Sequence, residues 1–373
     1  MVTFATLVDT EKDTDIGNIE LSVEGLWVET TLYEVPLLAL TSEAYFRFMD
    51  CDWTYDGQED CAYAKGQRLL AAGCTFAEYG TRRRRDFYTQ YLVLRGLMEA
   101  KSLGEKSELP GRFSGTSNVH LAMQFGIQPM GTVAHEWFMG ISAITNDYGN
   151  CTKKALAYWV DHFGDGIWKV APTDTFGTEH FLASFRQSIL PLTHYTQFIE
   201  KDIVSDPSPS KEDSGLSVLS SRSVTFADVF SGVRQDSGDP ATFIRTMREF
   251  YDREGITKDV TLVFSDSLSV ESCITYRKWA EDACFQSAFG IGTSFTNDFV
   301  RSNGHRSTPL NIVLKLTSAD GKPAIKISDS IGKNSGHKGT IARVKKDIGY
   351  TESAWAGSNE STRWGPDEHL TGN

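Results

Sequence analysis

The feature that most constrains this chain is a repetition: short apolar, strand-like runs that each stop at a polar residue able to do chemistry. GTVAHEWFMG, residues 131–140, delivers His135 and Glu136 where its apolar run ends. WKVAPTDT ends at Asp174, the run that opens at residue 230 ends at Asp236, TLVFSD ends at Asp266, and a last run meets the loop at Gly292. Helix-like segments separate most of these runs. Polar groups at successive strand ends are how an α/β barrel assembles one active site from distant parts of a sequence. A single histidine beside an apolar run is more often a satisfied core residue than a catalyst, so the weight rests on the recurrence.

Composition narrows the partners. With 373 residues, 40% hydrophobic and 23% charged, the chain can bury a substantial core as one large domain or two smaller ones. A net charge of -12 leaves no general cationic face, which argues against nucleic-acid and membrane-surface roles. The six cysteines are scattered, with no CxxC and no clustered histidines, so neither zinc nor a disulfide framework is expected and no metal-ligating residues are assigned. The first residues lack the apolar core of a signal peptide, and no apolar run is long enough to span a bilayer. The expected compartment is cytoplasmic, with the nucleus also allowed.

In chain order, residues 1–18 read as polar and poorly ordered, 19–23 as a half-buried strand and 26–35 as a second strand. Pro36 then marks a helix start. A loop follows at 50–58, and a helix at 60–72 stops at Gly73. In FAEYGTRRRR, residues 76–85, a strand-like stretch meets a glycine and four arginines before a helix at 86–101. An arginine run is usually a solvated face. Guanidinium forks also suit planar carboxylates and phosphates, through paired hydrogen bonds. The functional reading therefore leads at Arg82 and weakens along the run to Arg85.

Residues 114–118 read as a strand end with an N-cap, and 119–125, 152–163 and 179–189 as helices. Residues 194–222, with DPSPSKEDSG and a run of serines, read as a flexible insertion. Arg234 and Asp236 lie two apart and would share one side of a strand. Gly290, Gly292 and Thr293 in AFGIGTSFTND offer backbone N–H groups to an anion. SADGK between alternating runs at 311–316 and 323–328 predicts a hairpin.

At GTVAHEWFMG, EYGTRRRR, RQDSGDP, TLVFSDSL and FGIGTSFTND the sequence resembles the nicotinate phosphoribosyltransferase family, in order and spacing, over roughly residues 26–364. The resemblance implies a type II phosphoribosyltransferase fold: an irregular α/β barrel with an additional sheet-containing domain formed from both ends of the chain. It divides the chain into a remnant of an amino-terminal sheet and helix domain at 1–73, the barrel at 74–300, and a hairpin and tail at 301–373. It also implies ATP-coupled transfer of phosphoribosyl from phosphoribosyl pyrophosphate to nicotinate, with Mg2+ accompanying the substrates and a homodimer with shared active sites.

By resemblance His135 is the phosphorylated histidine, and a strand-end imidazole can act as a nucleophile toward phosphorus. Asp174 is the expected orienting carboxylate, with Glu136 in a support role, since neighbours on a strand point to opposite sides. Tyr79 resembles the family's ring-stacking aromatic and Arg82 the basic group near the pyridine and phosphate, with Arg83 a further substrate-binding candidate. Arg234 and Asp236 resemble the phosphate and ribose ligands, and Asp266, Gly292 and Thr293 the ribose and 5′-phosphate end of the cradle. The early VDTEKDTDIGN has no tyrosine where the family has Asp-Thr-Asp-x-Tyr, so the usual amino-terminal segment is expected to be lacking. The alternative reading is a catalytically impaired member that binds nucleotides or a partner subunit.

Overall fold

The computed structural model describes residues 2–6, 17–164, 168–189, 223–330 and 333–351. In chain order its elements are β1 (Val2–Thr6), β2 (Gly17–Leu21), α1 (Trp27–Thr30), α2 (Glu34–Phe48), α3 (Gln58–Ala71), β3 (Thr75–Glu78), a 3-10 turn (Thr81–Arg83), α4 (Phe87–Lys106), β4 (Arg112–Thr116) and α5 (Val119–Phe125). The βα rhythm continues with α6 (His135–Thr145), α7 (Cys151–Phe163), β5 (Val170–Pro172), α8 (Thr178–Phe185), α9 (Phe226–Val229), β6 (Gly232–Gln235), α10 (Pro240–Glu254), β7 (Thr261–Phe264), α11 (Val270–Asp282) and β8 (Gln286–Ile291). The short α12 (Thr293–Thr296), the hairpin β9 (Ser318–Ala319) and β10 (Lys322–Pro323), and α13 (Lys338–Asp347) complete it. Six strands make a parallel sheet in the order β4-β3-β8-β7-β6-β5, which is the α/β class expected from the sequence.

The chain divides into two compact units, residues 1–130 with 267–270 and 290–315, and residues 131–266 with 271–289 and 316–373. In the second unit β5 to β8 pair in register, Val170↔Gly232↔Thr261↔Gln286, so their carboxyl ends lie level. The side chains of β5, β6 and β7 are almost all buried, as expected of parallel strands covered on both faces, while the first half of β8 is more exposed. Asp174, Asp236 and Asp266 each follow a strand by one or two residues and so emerge along one edge.

In the first unit β3 pairs with β4, with a register shift between Phe76 and Ala77, and the Tyr79 N–H donates to the Ile291 carbonyl at 2.7 Å. The chain after β3 turns through the arginine run into α4, whose N-cap Asp86 accepts from the Thr89 N–H. Arg85 is fully buried, with its guanidinium carbon 3.8 Å from the Phe46 ring centre and 4.2 Å from that of Phe299. Burial pulls its pKa down to about 10. Arg85 is therefore not part of a solvated face, which is the reading that leads for it in the sequence.

Several expectations are corrected. Residues 2–6 form β1, paired antiparallel with β2, within the stretch read as poorly ordered. Residues 26–35 are not a strand: Thr30 N–H bonds the Leu26 carbonyl at 2.9 Å and Thr31 N–H that of Trp27 at 3.0 Å, which makes a helical turn. Val28 and Leu32 are exposed, so the branched residues that suggested a strand find no sheet to cover. The GTVA stretch is extended but not a strand; its Val133 N–H makes one bond to the Val170 carbonyl, and the helix begins at His135. Helix α8 ends at Phe185 rather than 189. The DG turn forms, with Asp320 and Gly321 at φ 51° and 66°, but each hairpin strand is only two residues long. The insertion at 194–222 and the tail from 352 lie outside the described residues.

Candidate active site

His135 is the first residue of α6, behind an extended Ala134 that offers no side-chain cap. The helix is held by its apolar face, on which Phe138, Met139 and Ala143 are buried, and by the Trp137 indole N–H donating to the Ala155 carbonyl at 2.9 Å. The imidazole is buried. Its Nε2 lies 2.9 Å from Asp236 Oδ2 and 3.7 Å from Asp174 Oδ1, and its Nδ1 lies 2.9 Å from Thr175 Oγ1. The orienting carboxylate is therefore Asp236, correcting the expectation of Asp174. Asp174 flanks the ring, and its Oδ1 is buried with no hydrogen-bond partner among the described residues.

A residue that the sequence reading missed sits in the middle. Lys326 is buried, with Nζ 3.1 Å from Asp174 Oδ2, 3.5 Å from Asp236 Oδ2 and 3.3 Å from His135 Nε2. Backbone bonds place it: the Ile327 N–H donates to the Thr175 carbonyl at 2.8 Å and the Ser328 N–H to that of Asp174 at 3.0 Å. A signal existed, because Lys326 interrupts the otherwise apolar and buried Ala324, Ile325 and Ile327. A fully buried lysine needs an anion.

The electrostatics follow. Burial lowers the His135 pKa to about 4, and the Lys326 ammonium acts the same way, while Asp174 and Asp236 oppose it. For Asp174, burial would raise the pKa, but Lys326 and His135 bring it down to about 2. Asp236 is held well below the usual carboxylate range; burial opposes this, and Arg234, Lys326 and His135 cause it. Lys326 is raised because its two aspartates outweigh burial. At neutral pH the ring is thus neutral beside ionised carboxylates. A carboxylate accepts and cannot donate, so the ring proton is assigned to Nε2, directed at Asp236, and Nδ1 accepts from the Thr175 hydroxyl.

The rest of this unit's predicted set is close by. Arg234 Nη1 donates to the Thr132 hydroxyl, and Asp236 Oδ1 accepts from Ser265 Oγ at 2.8 Å. Asp266 pairs with Lys333 Nζ at 3.0 Å, and that ammonium also reaches the Asp236 carbonyl at 3.3 Å. Ser237 Oγ donates to Asp174 at 2.6 Å. Asp329 accepts from the Thr178 N–H at 3.0 Å and hydroxyl at 2.6 Å. Burial and the charge of Asp174 raise the Asp329 carboxyl to about 6.

Tyr79, Arg82, Arg83, Gly292 and Thr293 fall in the other unit. Gly290 presents bare backbone to the Tyr79 ring: a Cβ there would lie 2.6 Å from Tyr79 Cδ2. The arginine turn rests on buried Glu78, which accepts from Thr116 Oγ1 at 2.6 Å and Gln90 Nε2 at 2.8 Å, as well as from the Gly80 N–H. Thr296 Oγ1 donates to the Gly80 carbonyl and Asn297 Nδ2 to that of Arg83. Arg82 pairs with Glu34 at 3.1 Å, and Arg83 reaches Asn311 Oδ1 at 3.3 Å. Gly292 starts α12, with Thr293 its first residue.

Donor atoms of His135, Asp174 and Asp236 lie within 4.8 Å of one another, close enough to share a cation. Lys326 already supplies the positive charge between them, so the residues do not fit a resident metal ion. Glu136, one residue along the helix, is not part of this cluster.

Aligned carboxylates, a neutral buried imidazole and ammonium groups at the carboxyl ends of parallel strands define an α/β enzyme suited to phosphate-bearing substrates. The family model described as the nicotinate phosphoribosyltransferase (NAPRTase) family matches residues 74–200 and 214–352. The nicotinate phosphoribosyltransferase of Saccharomyces cerevisiae is 41% identical over 350 residues, covering 93% of this chain and 73% of that protein. The probable nicotinate phosphoribosyltransferase of Schizosaccharomyces pombe is 42% identical over 339 residues, covering 90% and 74%. The crystal structure of a putative nicotinate phosphoribosyltransferase from Saccharomyces cerevisiae is similar with a TM-score of 0.79 and 39% identity, over 94% of this chain and 76% of that one. This chain belongs to the nicotinate phosphoribosyltransferase family.

Proposed function

We propose that the chain transfers phosphoribosyl from phosphoribosyl pyrophosphate to nicotinate, giving nicotinate mononucleotide and pyrophosphate in NAD salvage, with ATP hydrolysis coupled through phosphorylation of His135. The observation that carries the coupling is the neutral His135 ring held between Asp236 and Thr175. With the Nε2 proton retained on the ring and directed at Asp236, the Nδ1 lone pair is the nucleophile. The Thr175 hydroxyl swings aside, Nδ1 bonds to the γ-phosphorus of ATP, and the bond to the bridging oxygen breaks, so ADP leaves. The ring gains positive charge as the bond forms, and the ionised Asp236 stabilises it. Water later takes the phosphoryl group.

In the transfer itself, the pyridine nitrogen of nicotinate attacks the ribose carbon that carries pyrophosphate, and pyrophosphate departs with the bond electrons. Tyr79 suits a ring-stacking role, and Arg82 or Arg83 suits the nicotinate carboxylate; Arg82 would exchange its Glu34 partner for the ligand. In the second unit Arg234 and Asp266 suit the sugar and its phosphates, and in the first unit the backbone from Gly292 to Thr293 suits an anion. Magnesium would come bound to those phosphates as part of the substrates. A homodimer that completes shared sites and a cytoplasmic location belong to the same proposal. Among the described residues no helix is long and apolar enough to cross a membrane. The reading as an impaired binding subunit is not favoured, since the curated relatives that cover most of this chain are named as the enzyme.

The test is acid-labile labelling by γ-labelled ATP with site mapping. Label on His135, lost in His135→Ala, is the expected result. Equal labelling of His135→Ala would remove the phosphohistidine from the mechanism.

A further inference from the structure

Four charged groups face the His135 ring or its immediate neighbours: Asp174 after β5, Asp236 and Arg234 from β6 and its end, and Lys326 from the segment after β10. Asp329 stands behind Asp174, and Lys333 behind Asp236. Among these cations only Lys326 touches both carboxylates and the ring. Its contact with Nε2 at 3.3 Å is not a hydrogen bond when Nε2 carries a proton. Two donors then meet head-on, an arrangement tolerated only because the carboxylates on either side attract both.

We propose that Lys326 is the resident cation of the site and a positioning residue for the reaction: it holds Asp174 and Asp236 together as anions and keeps His135 an uncharged nucleophile. The geometry gives the reason. Two carboxylates that share one imidazole would, without Lys326, draw a second proton onto the ring, and a doubly protonated ring has no lone pair with which to attack phosphorus. The same pair would draw in a divalent cation, which the ammonium now excludes. The lower His135 pKa agrees with this placement. A further consequence concerns the product: once Nδ1 carries a phosphoryl group, Lys326 remains on the far side of the ring, beside Nε2. It therefore discourages charge on the ring in the free enzyme from the side opposite Nδ1.

The inference deepens the proposed phosphorylation of His135 and rests on that reading for its catalytic meaning; its physical content can be tested alone. In Lys326→Met, with the fold verified by circular dichroism and thermal melting, the His135 imidazole resonances should titrate at least ~1 unit higher than in the wild type. Lys326→Arg should return the titration to the wild-type position. Labelling by γ-labelled ATP should show the same shift, with Lys326→Met approaching wild-type rates only as pH rises. Manganese titration without nucleotide should reveal a site in Lys326→Met that the wild type lacks and that Lys326→Met with Asp174→Asn loses again. Where the methionine variant does not stay folded, Lys326→Gln, which keeps a donor for Asp174, replaces it in every arm. A folded neutral variant whose His135 titrates where the wild type does would overturn the proposal. Wild-type protein that never labels while the titration shifts as stated would sink the phosphorylation reading and leave the electrostatic role standing.

Discussion

Gly290→Ala probes how the Tyr79 ring is held. An added Cβ would stand 2.6 Å from Cδ2, 2.8 Å from Cε2 and 3.1 Å from Cγ of Tyr79. Carbon contacts are comfortable at about 3.5 Å or more, so the ring must retreat by about 1 Å (3.5 less 2.6). If Tyr79 stacks on nicotinate, that retreat forfeits a ring contact of ~0.5–1.5 kcal/mol, which is about 2- to 13-fold in nicotinate binding. A 1 Å error near the reacting atoms can cost as much as ~100-fold in turnover. Steady-state kinetics with nicotinate and phosphoribosyl pyrophosphate varied separately should show a raised KM for nicotinate and a lowered kcat, while the KM for phosphoribosyl pyrophosphate changes little. Thermal melting checks the overpacking, which typically costs ~1–3 kcal/mol of stability. Unchanged nicotinate kinetics in a folded variant would refute the reasoning. So would an equal loss for both substrates.

Two further outcomes follow from the same geometry. Asp236→Asn removes the ionised acceptor for Nε2–H and should lower phosphate incorporation on His135 by ~100- to 1,000-fold with the fold retained; labelling within tenfold of wild type would count against it. Stability against pH should carry two opposed contributions. His135, lowered to about 4, stabilises the fold above its unfolded pKa of about 6.5 and loses that contribution as pH falls toward 4. Asp329, raised to about 6, stabilises the fold below its unfolded pKa of about 3.9 and loses that contribution as pH rises through 6. Melting temperature should therefore rise more steeply with pH between 4 and 6 in Asp329→Asn, and less steeply in His135→Gln, than in the wild type. Identical slopes in all three proteins would contradict the assignment.

The sequence made the strand ends legible because buried parallel strands are nearly continuous apolar runs, so a carboxylate closing one stands out. Asp174, Asp236 and Asp266 were found in this way. The same logic placed His135 at the end of a strand and was wrong there: GTVA makes a single sheet-like bond, and the ring projects from the first turn of α6. The change from strand to helix also reassigned its partner, since the choice of Asp174 rested on strand geometry. Lys326 escaped because it is distant in sequence from the other strand ends and arrives through two backbone bonds to residues 174 and 175. Residues 26–35 misled because valines, threonines and a tryptophan favour strands only where a sheet exists to receive them. The arginine run misleads at one end: the solvated-face reading leads for Arg85, yet Arg85 is buried and stacked between two rings, because Phe46 and Phe299 are far away in sequence.

The most direct measurement is product formation by the purified chain given nicotinate, phosphoribosyl pyrophosphate and magnesium, with and without ATP. Nicotinate mononucleotide and pyrophosphate should appear in equal amounts, faster when ATP is present and hydrolysed, and nicotinamide or quinolinate should not replace nicotinate. Failure to form nicotinate mononucleotide under both conditions, from a protein that melts cooperatively, would contradict the proposed function.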